Sequence, residues 1–538
     1  MKRCWRIAGS AAWTVVWLAA AGGGLAVDPA LLKQADEALA KGEFRAASQH
    51  YSAAVEGSAS PAPARLGAGR AAFAQADYEE AARQFDLASL ALGATPREVA
   101  LALAGKAAAW LEPARGTLEE NAVMLAAEDL DSALSRDPQC ATALVWRGYL
   151  RTLLAKNHED ENNALGDLKA AHGQGEDGWL LYLARGCVAI GHGDTAERDK
   201  AFAVARQRLD TELKSRPGHL HAWLKSVEWC ERSGDLDRLI ADHTGILQRW
   251  PERVASIAGR GYARVLKQDF PAAIADCTEA LEKGDRRALV YWWRGYARSW
   301  TGDTEGALDD LGEAIVLNSE LKGPLARRAW LQNARGEYEL AVDDATRAVE
   351  HWPDDLEARG ERGYACKELG RTGEAIRDFD QVLEANPKSA GILRYRAEAR
   401  NLQREFRLAL KDASAAIGLV PADGYAWRAR SVAHIGLKEY DKAIADATRT
   451  IELLPKHAPG YINRGAARRA QKQFAAALKD YDQAVALDPE NPAWYRDRAG
   501  VHEQRGRPDA ARKDLETARE LEGMKNLETL PEPAIKPR

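Results

Sequence analysis

The chain has no excess of basic residues: 75 Lys and Arg face 80 Asp and Glu, a formal charge of −5 over 538 residues. With Lys2, Arg3 and Arg6 set aside, the remainder carries −8. Such a chain lacks the clustered cationic surface that nucleic acid demands, which excludes that partner class. Cysteine is sparse, at positions 4, 140, 187, 230, 277 and 366, and no Cys-x-x-Cys pair occurs. Neither a zinc site of that kind nor a thioredoxin-like motif is written here. Beyond residue 26 five cysteines remain, an odd number, so buried free thiols between helices are expected. At 29% charged residues the chain is too polar for a multi-span membrane protein, and at 46% hydrophobic too apolar for a disordered one. Catalytic signatures are missing too: no His-Glu-x-x-His, no nucleophile elbow, no phosphate-binding glycine loop. His219 and His221, beside Pro217-Gly218, read as solvent-exposed loop residues. No catalytic residue, metal ligand or cofactor is assigned, and the chain does not read as an enzyme.

The N-terminus reads as an address. Lys2, Arg3 and Arg6 precede the uncharged apolar stretch Ile7–Ala21, and small residues follow through Ala26. Residues 1–26 are expected to be a secretory signal peptide cut after Ala26, or an uncleaved anchor, since residues 7–27 are long enough to span a bilayer. The expected location is exported, either periplasmic or secreted, with membrane anchoring through residues 7–27 as the alternative.

What is abundant is repetition. An Arg followed by a small residue stands at Arg260-Gly261, Arg294-Gly295, Arg328-Ala329, Arg362-Gly363, Arg396-Ala397, Arg430-Ser431, Arg464-Gly465 and Arg498-Ala499, always 34 residues apart. Alanine follows at the same interval (Ala273, Ala307, Ala341 and onward), then aspartate at Asp276, Asp310, Asp344, Asp378, Asp412, Asp446, Asp480 and Asp514. Prolines such as Pro353, Pro387, Pro421, Pro455 and Pro489 close the units. A period of this size predicts a solenoid of helical hairpins, each too small to bury its apolar face without neighbours.

The pattern resembles the tetratricopeptide repeat family. Trp223 and Trp427 fill repeat position 4, Gly336 and Gly370 position 15, Phe270, Tyr338, Phe406, Tyr440 and Phe474 position 17, and Ala280, Ala314, Ala348, Ala416, Ala484 and Ala518 position 27. The resemblance implies an all-α, right-handed superhelical solenoid of stacked antiparallel hairpins. Two hairpins are expected over 27–95, three longer and irregular ones over 96–219, nine regular units over 220–524, and a Pro-containing disordered tail over 525–538.

Two residue series stand out. Positions 7 and 23 lie level in an antiparallel hairpin, so Arg294 is expected to pair with Asp310, Arg328 with Asp344 and Arg362 with Asp378 as structural ion pairs. In the family, positions 2, 5, 6, 9, 12 and 13 of the first helix line a concave groove. Position 9 here holds Tyr262, Tyr296, Trp330 and Tyr364, with Trp292, Trp293, Trp300, Arg327, Arg394 and Tyr395 around them. Aromatics flanked by arginine are the composition of binding hot spots. The same residues could instead be core, because position 11, usually Tyr in the family, is Arg264, Arg298, Gln332 and Cys366 in these units. Both readings stay open. The paired Lys and Asn of the family's carboxylate clamp are absent, as is its asparagine ladder. The expected function is an exported scaffold that binds a peptide or helix of another protein in its groove; the alternative is a structural assembly subunit of an envelope complex with an inert groove. Oligomeric state is not readable.

Overall fold

The structure, a computed structural model, describes residues 27–56, 61–114 and 120–528, and its regular elements are all α-helices. The chain divides into two compact units, residues 1–267 and 268–538. The first unit begins with the antiparallel pairs Pro29–Ala40 and Phe44–Val55, then Ala62–Ala74 and Tyr78–Ser89. Longer pairs follow: Pro96–Ala114 with Glu120–Arg136, Ala141–Leu154 with His158–Gly173, and Trp179–Gly191 with Thr195–Ser215. Leu220–Ser233, Leu236–Arg249 and Val254–Leu266 complete it.

In the second unit Phe270–Glu282 packs on the pair Ala288–Thr301 and Thr304–Leu317. The pairs Pro324–Arg335 with Tyr338–His351, Leu356–Glu368 with Thr372–Ala385, and Ala390–Leu402 with Phe406–Leu419 stack in turn. Gly424–Gly436 with Tyr440–Leu453, Ala458–Ala470 with Phe474–Leu487, and Pro492–Gln504 with Pro508–Glu528 end the unit.

The turn between paired helices has one recurring requirement. A residue with left-handed backbone stands every 34 positions, as glycine at Gly234, Gly302, Gly336, Gly370 and Gly506, and as Gln268, Arg404, Lys438 and Lys472 elsewhere. Glycine adopts this conformation freely, whereas a Cβ there is strained. Between the helices, alanines such as Ala307, Ala341, Ala375, Ala409 and Ala443 are completely buried and let the backbones approach. Gly363 shows how close: a Cβ there would stand 2.7 Å from the Phe379 ring.

The first unit closes on its own chain. Helix Ala62–Ala74 touches Leu220–Ser233. His221 inserts between Phe73, whose ring lies 4.5 Å away, and Tyr78, whose hydroxyl is 3.1 Å from His221 Nδ1. Lys225 is buried against Glu112 and also meets Glu228 at 2.9 Å. The expectation of an exposed His219–His221 pair is therefore corrected. His221 is 2% exposed, and His219 caps its helix by accepting from Ala222 N at 3.0 Å. Contacts across more than a hundred residues of sequence made these side chains core.

Two further expectations change. The membrane-anchored location does not stand: no helix among the described residues is long and apolar enough to cross a membrane. Residues 1–26, which carried the signal-or-anchor reading, lie outside the described residues. The final helix runs to Glu528, so residues 525–528 of the stretch expected to be a disordered tail are helical, and 529–538 lie outside the described residues. All five cysteines beyond residue 26 are free, four of them buried.

Candidate functional site

The second unit is held in register by charged rungs. Arg294 donates to both carboxylate oxygens of Asp310, Nε at 2.9 Å and Nη2 at 2.7 Å. Arg328 meets Asp344 at 2.6 and 2.7 Å, and Arg362 meets Asp378 at 2.8 and 2.6 Å. The aspartates are buried and the arginines half-buried, which suits a planar fork bound bidentately to a carboxylate. Several rungs reach the preceding hairpin as well: Arg294 Nη1 lies 3.3 Å from Thr278 Oγ1 and Arg396 Nη1 2.6 Å from Asp380.

Position 11 joins the same rungs. Arg298 donates to Asp310 at 2.8 Å, Arg400 to Asp412 at 2.6 Å and Arg468 to Asp480 at 2.8 Å. These arginines complete the aspartate's hydrogen bonding.

The aromatics at the groove positions assemble into a wall along the first helices of successive hairpins. Trp292, Tyr296 and Trp300 sit one turn apart on helix Ala288–Thr301, with ring centroids 5.4 and 6.4 Å apart. Arg327, from the next hairpin, enters among them. Its guanidinium carbon lies 4.8 Å from the Tyr296 centroid, 4.5 Å from Trp300 and 4.2 Å from Trp330. Three aromatic faces around one cation give an attraction that strengthens on desolvation. Arg327 is 4% exposed, whereas Trp300 at the rim is 51% exposed. Arg327 Nε donates to Ser299 Oγ at 2.8 Å, while its buried Nη2 has no hydrogen-bond partner among the described residues. Burial draws this guanidinium pKa below its usual value.

A second cluster continues the wall. Tyr364 and Tyr395 meet edge to face at 4.9 Å, with Lys367 Nζ 4.8 and 5.4 Å from their centroids. Arg394 stacks on Tyr395 at 4.2 Å and faces Tyr425 at 5.4 Å. Glu398 gathers the cations: Lys367 at 2.9 Å, Arg428 at 2.5 Å and Arg394 at 3.8 Å. Burial alone would raise the Glu398 pKa, but Arg428, Lys367 and Arg394 outweigh it and hold the carboxyl below its usual range. Glu361 lacks such company. Burial pushes it up to about 7, against the hydrogen bond it accepts from Asn333 Nδ2 at 2.8 Å.

Among the groove residues singled out from sequence, Trp292, Tyr296, Trp300, Arg327 and Trp330 thus share one cluster, and Tyr364, Arg394 and Tyr395 the other. Trp293 is half-buried on the same helix as Trp292, and Tyr262 lies in the first unit. Sequence reasoning missed Ser299, Glu361, Lys367, Glu398 and Tyr425. Their only signal was that they occupy groove positions of the family pattern: 2 for Tyr425, 6 for Glu361, 9 for Glu398 and 12 for Ser299 and Lys367.

Models of the tetratricopeptide repeat family match residues 32–97, 327–390 and 398–458, and again residues 464–525. No curated protein matches the chain in sequence. Among solved structures, the chain is similar to the anaphase-promoting complex hetero-tetramer Cut9–Hcn1, with 12% identity over 88% of this chain and 96% of that one, TM-score 0.48. A tetratricopeptide repeat protein from Parabacteroides merdae matches with 20% identity over 49% of this chain and 98% of its own, TM-score 0.36. YrrB, described as having an unusual peptide-binding site, matches with 22% identity over 34% of this chain and 94% of its own, TM-score 0.29. Helix pairs stacked at a 34-residue interval and family matches in both units lead to one conclusion: the protein carries tetratricopeptide repeats and is built as an array of them.

Proposed function

We propose that this non-catalytic repeat scaffold binds a peptide or helical segment of a partner protein along the aromatic wall of its second unit. The observation that carries the reading is the Arg327 cage. A buried guanidinium Nη2 without a partner costs free energy, and a rim tryptophan beside it is 51% exposed. An apolar side chain of a bound segment would cover Trp300 at the rim, over the cation held behind it. This is the usual division of a hot spot into a desolvated polar anchor and an aromatic contact.

The test is selection of a displayed random-peptide library on the purified chain, repeated with Trp300→Ala and with Trp330→Ala. Enriched peptides that lose about tenfold or more in affinity on either substitution support the reading. Failure to enrich any sequence, or enrichment that neither substitution weakens, would leave the groove inert and favour an assembly role through other faces.

A further inference from the structure

We infer a divalent transition-metal site at the junction of the fourth and fifth hairpins, with His158, Glu161 and His192 as ligands and Zn²⁺ as the ion it suits best. His158 and Glu161 stand at the start of helix His158–Gly173, three residues apart and so on one face. His192 is the C-cap of helix Trp179–Gly191, which runs antiparallel to it. The three side chains offer Nδ1, a carboxylate oxygen and Nε2. Glu161 Oε2 lies 2.8 Å from His158 Nδ1 and 3.2 Å from His192 Nε2, and the ligand atoms all fall within 4.8 Å of one another. Tetrahedral bonds of about 2.0–2.2 Å place ligand atoms roughly 3.3 Å apart, so small rotations of these side chains close the set around one ion. Two imidazoles and one carboxylate match zinc, with the fourth position left to water.

The carboxylate reaches across to the next hairpin beside a glycine. Gly191 precedes His192, and the Glu161 carboxylate occupies the space that a Cβ on it would take. The carboxylate thus lies directly against the Gly191 backbone of the neighbouring hairpin. Glu161 is itself mostly covered, at 15% side-chain exposure, while His158 on the solvent side is 76% exposed and open to an entering ion. The local charge also favours a cation: Glu159 and Asp160 accompany Glu161 in the first turn, offsetting the positive end of the helix.

The position of the site gives it a role. Helices His158–Gly173 and Trp179–Gly191 are joined at one end by residues 174–178, which include Gly175 and Gly178, and the three ligands lie at the other end. An ion there would staple two hairpins at the end where no chain connects them. That is where stacked repeats otherwise rely on packing alone.

The test uses the tag-free full chain stripped with chelator, titrated with Zn²⁺ by calorimetry and with Co²⁺ by visible absorption. One ion per chain is expected at this site, with a Co²⁺ spectrum that lacks thiolate charge transfer. His158→Ala and His192→Ala should each weaken binding more than about tenfold, given that losing even an outer-sphere partner costs 10–100-fold. Glu161→Gln, which keeps the side-chain length and removes the charge, should weaken binding comparably. At free Zn²⁺ a hundred times Kd, amide exchange near residues 158–161 and 190–192 should slow by up to about a hundredfold. Helical content should stay at the wild-type level in every variant, since both histidines terminate helices. Equal affinity in wild type and the two histidine variants, binding carried by a thiolate spectrum, or no binding at all would overturn the proposal.

Discussion

The charged rungs differ in redundancy, and that difference can be measured. Asp412 accepts from two arginines, Arg396 and Arg400, at 2.7 and 2.6 Å. Asp378 depends on Arg362, because Cys366 stands where Arg400 stands in the next hairpin, and its other cation, Arg359, is 4.0 Å away. Both aspartates are buried, Asp412 at 3% and Asp378 at 4% exposure. Arg362→Ala therefore strands a buried carboxylate, an error that costs about 3–5 kcal/mol. Arg396→Ala leaves Asp412 charge-paired and should cost about 1–2 kcal/mol, in the range of a lost hydrogen bond to a charged group. Replacing both partners, as Arg362→Leu with Asp378→Leu, should recover most of the loss, since no unpaired charge remains. Long arrays melt in stages, so the readout is native-state hydrogen exchange in helices Leu356–Glu368 and Ala390–Leu402, alongside urea titration. If Arg396→Ala destabilises as much as Arg362→Ala, the second arginine does not share the load and the reasoning fails. If the double leucine variant is worse than Arg362→Ala, the rung is a net source of stability.

Other outcomes follow from the same geometry. Burial, with Arg260 and Arg253 adding to it, pushes His243 from 6.5 down to about 4, so the unfolded chain binds a proton that the folded state refuses. Stability of the first unit should thus fall as pH drops from about 6.5 to 4, by up to about 3 kcal/mol, and His243→Leu should flatten that part of the profile; an unchanged profile would count against it. Lys438 holds a left-handed backbone at φ 62° in its hairpin turn, so Lys438→Gly should stabilise by about 0.5–1 kcal/mol in thermal melts despite the greater freedom of the unfolded glycine. Trp427 packs on Leu383, Leu393 and Ile417 and donates to Pro421 O at 2.9 Å, so Trp427→Ala should cost about 2–3 kcal/mol, against under about 1 for Trp300→Ala at the rim. Equal losses at the two tryptophans would make Trp300 a core residue.

The period of the sequence was enough to place the repeated helices of the second unit. Helices there start at Ala288, Leu356, Ala390 and Ala458, where the 34-residue register puts position 1, because helix length, turn and packing in a hairpin depend on residues close in sequence. The pairing of Arg294 with Asp310, sixteen residues apart, is local in the same sense. Three things needed the tertiary structure. The use of position 11 by Arg298 and Arg400, as second donors to the rung aspartate, depends on side-chain reach rather than on period. The cage around Arg327 brings together residues from adjacent hairpins, and the choice between groove and core turns on which faces the neighbours cover. The burial of His221 between Phe73 and Tyr78 joins residues more than a hundred positions apart, and while His158, Glu161 and His192 lie one repeat apart in neighbouring hairpins, the meeting of their side chains depends on local packing rather than on the repeat pattern. A repeat pattern encodes each unit's contact with the next. Where the chain returns on itself, only the summed geometry of many hairpins decides what meets.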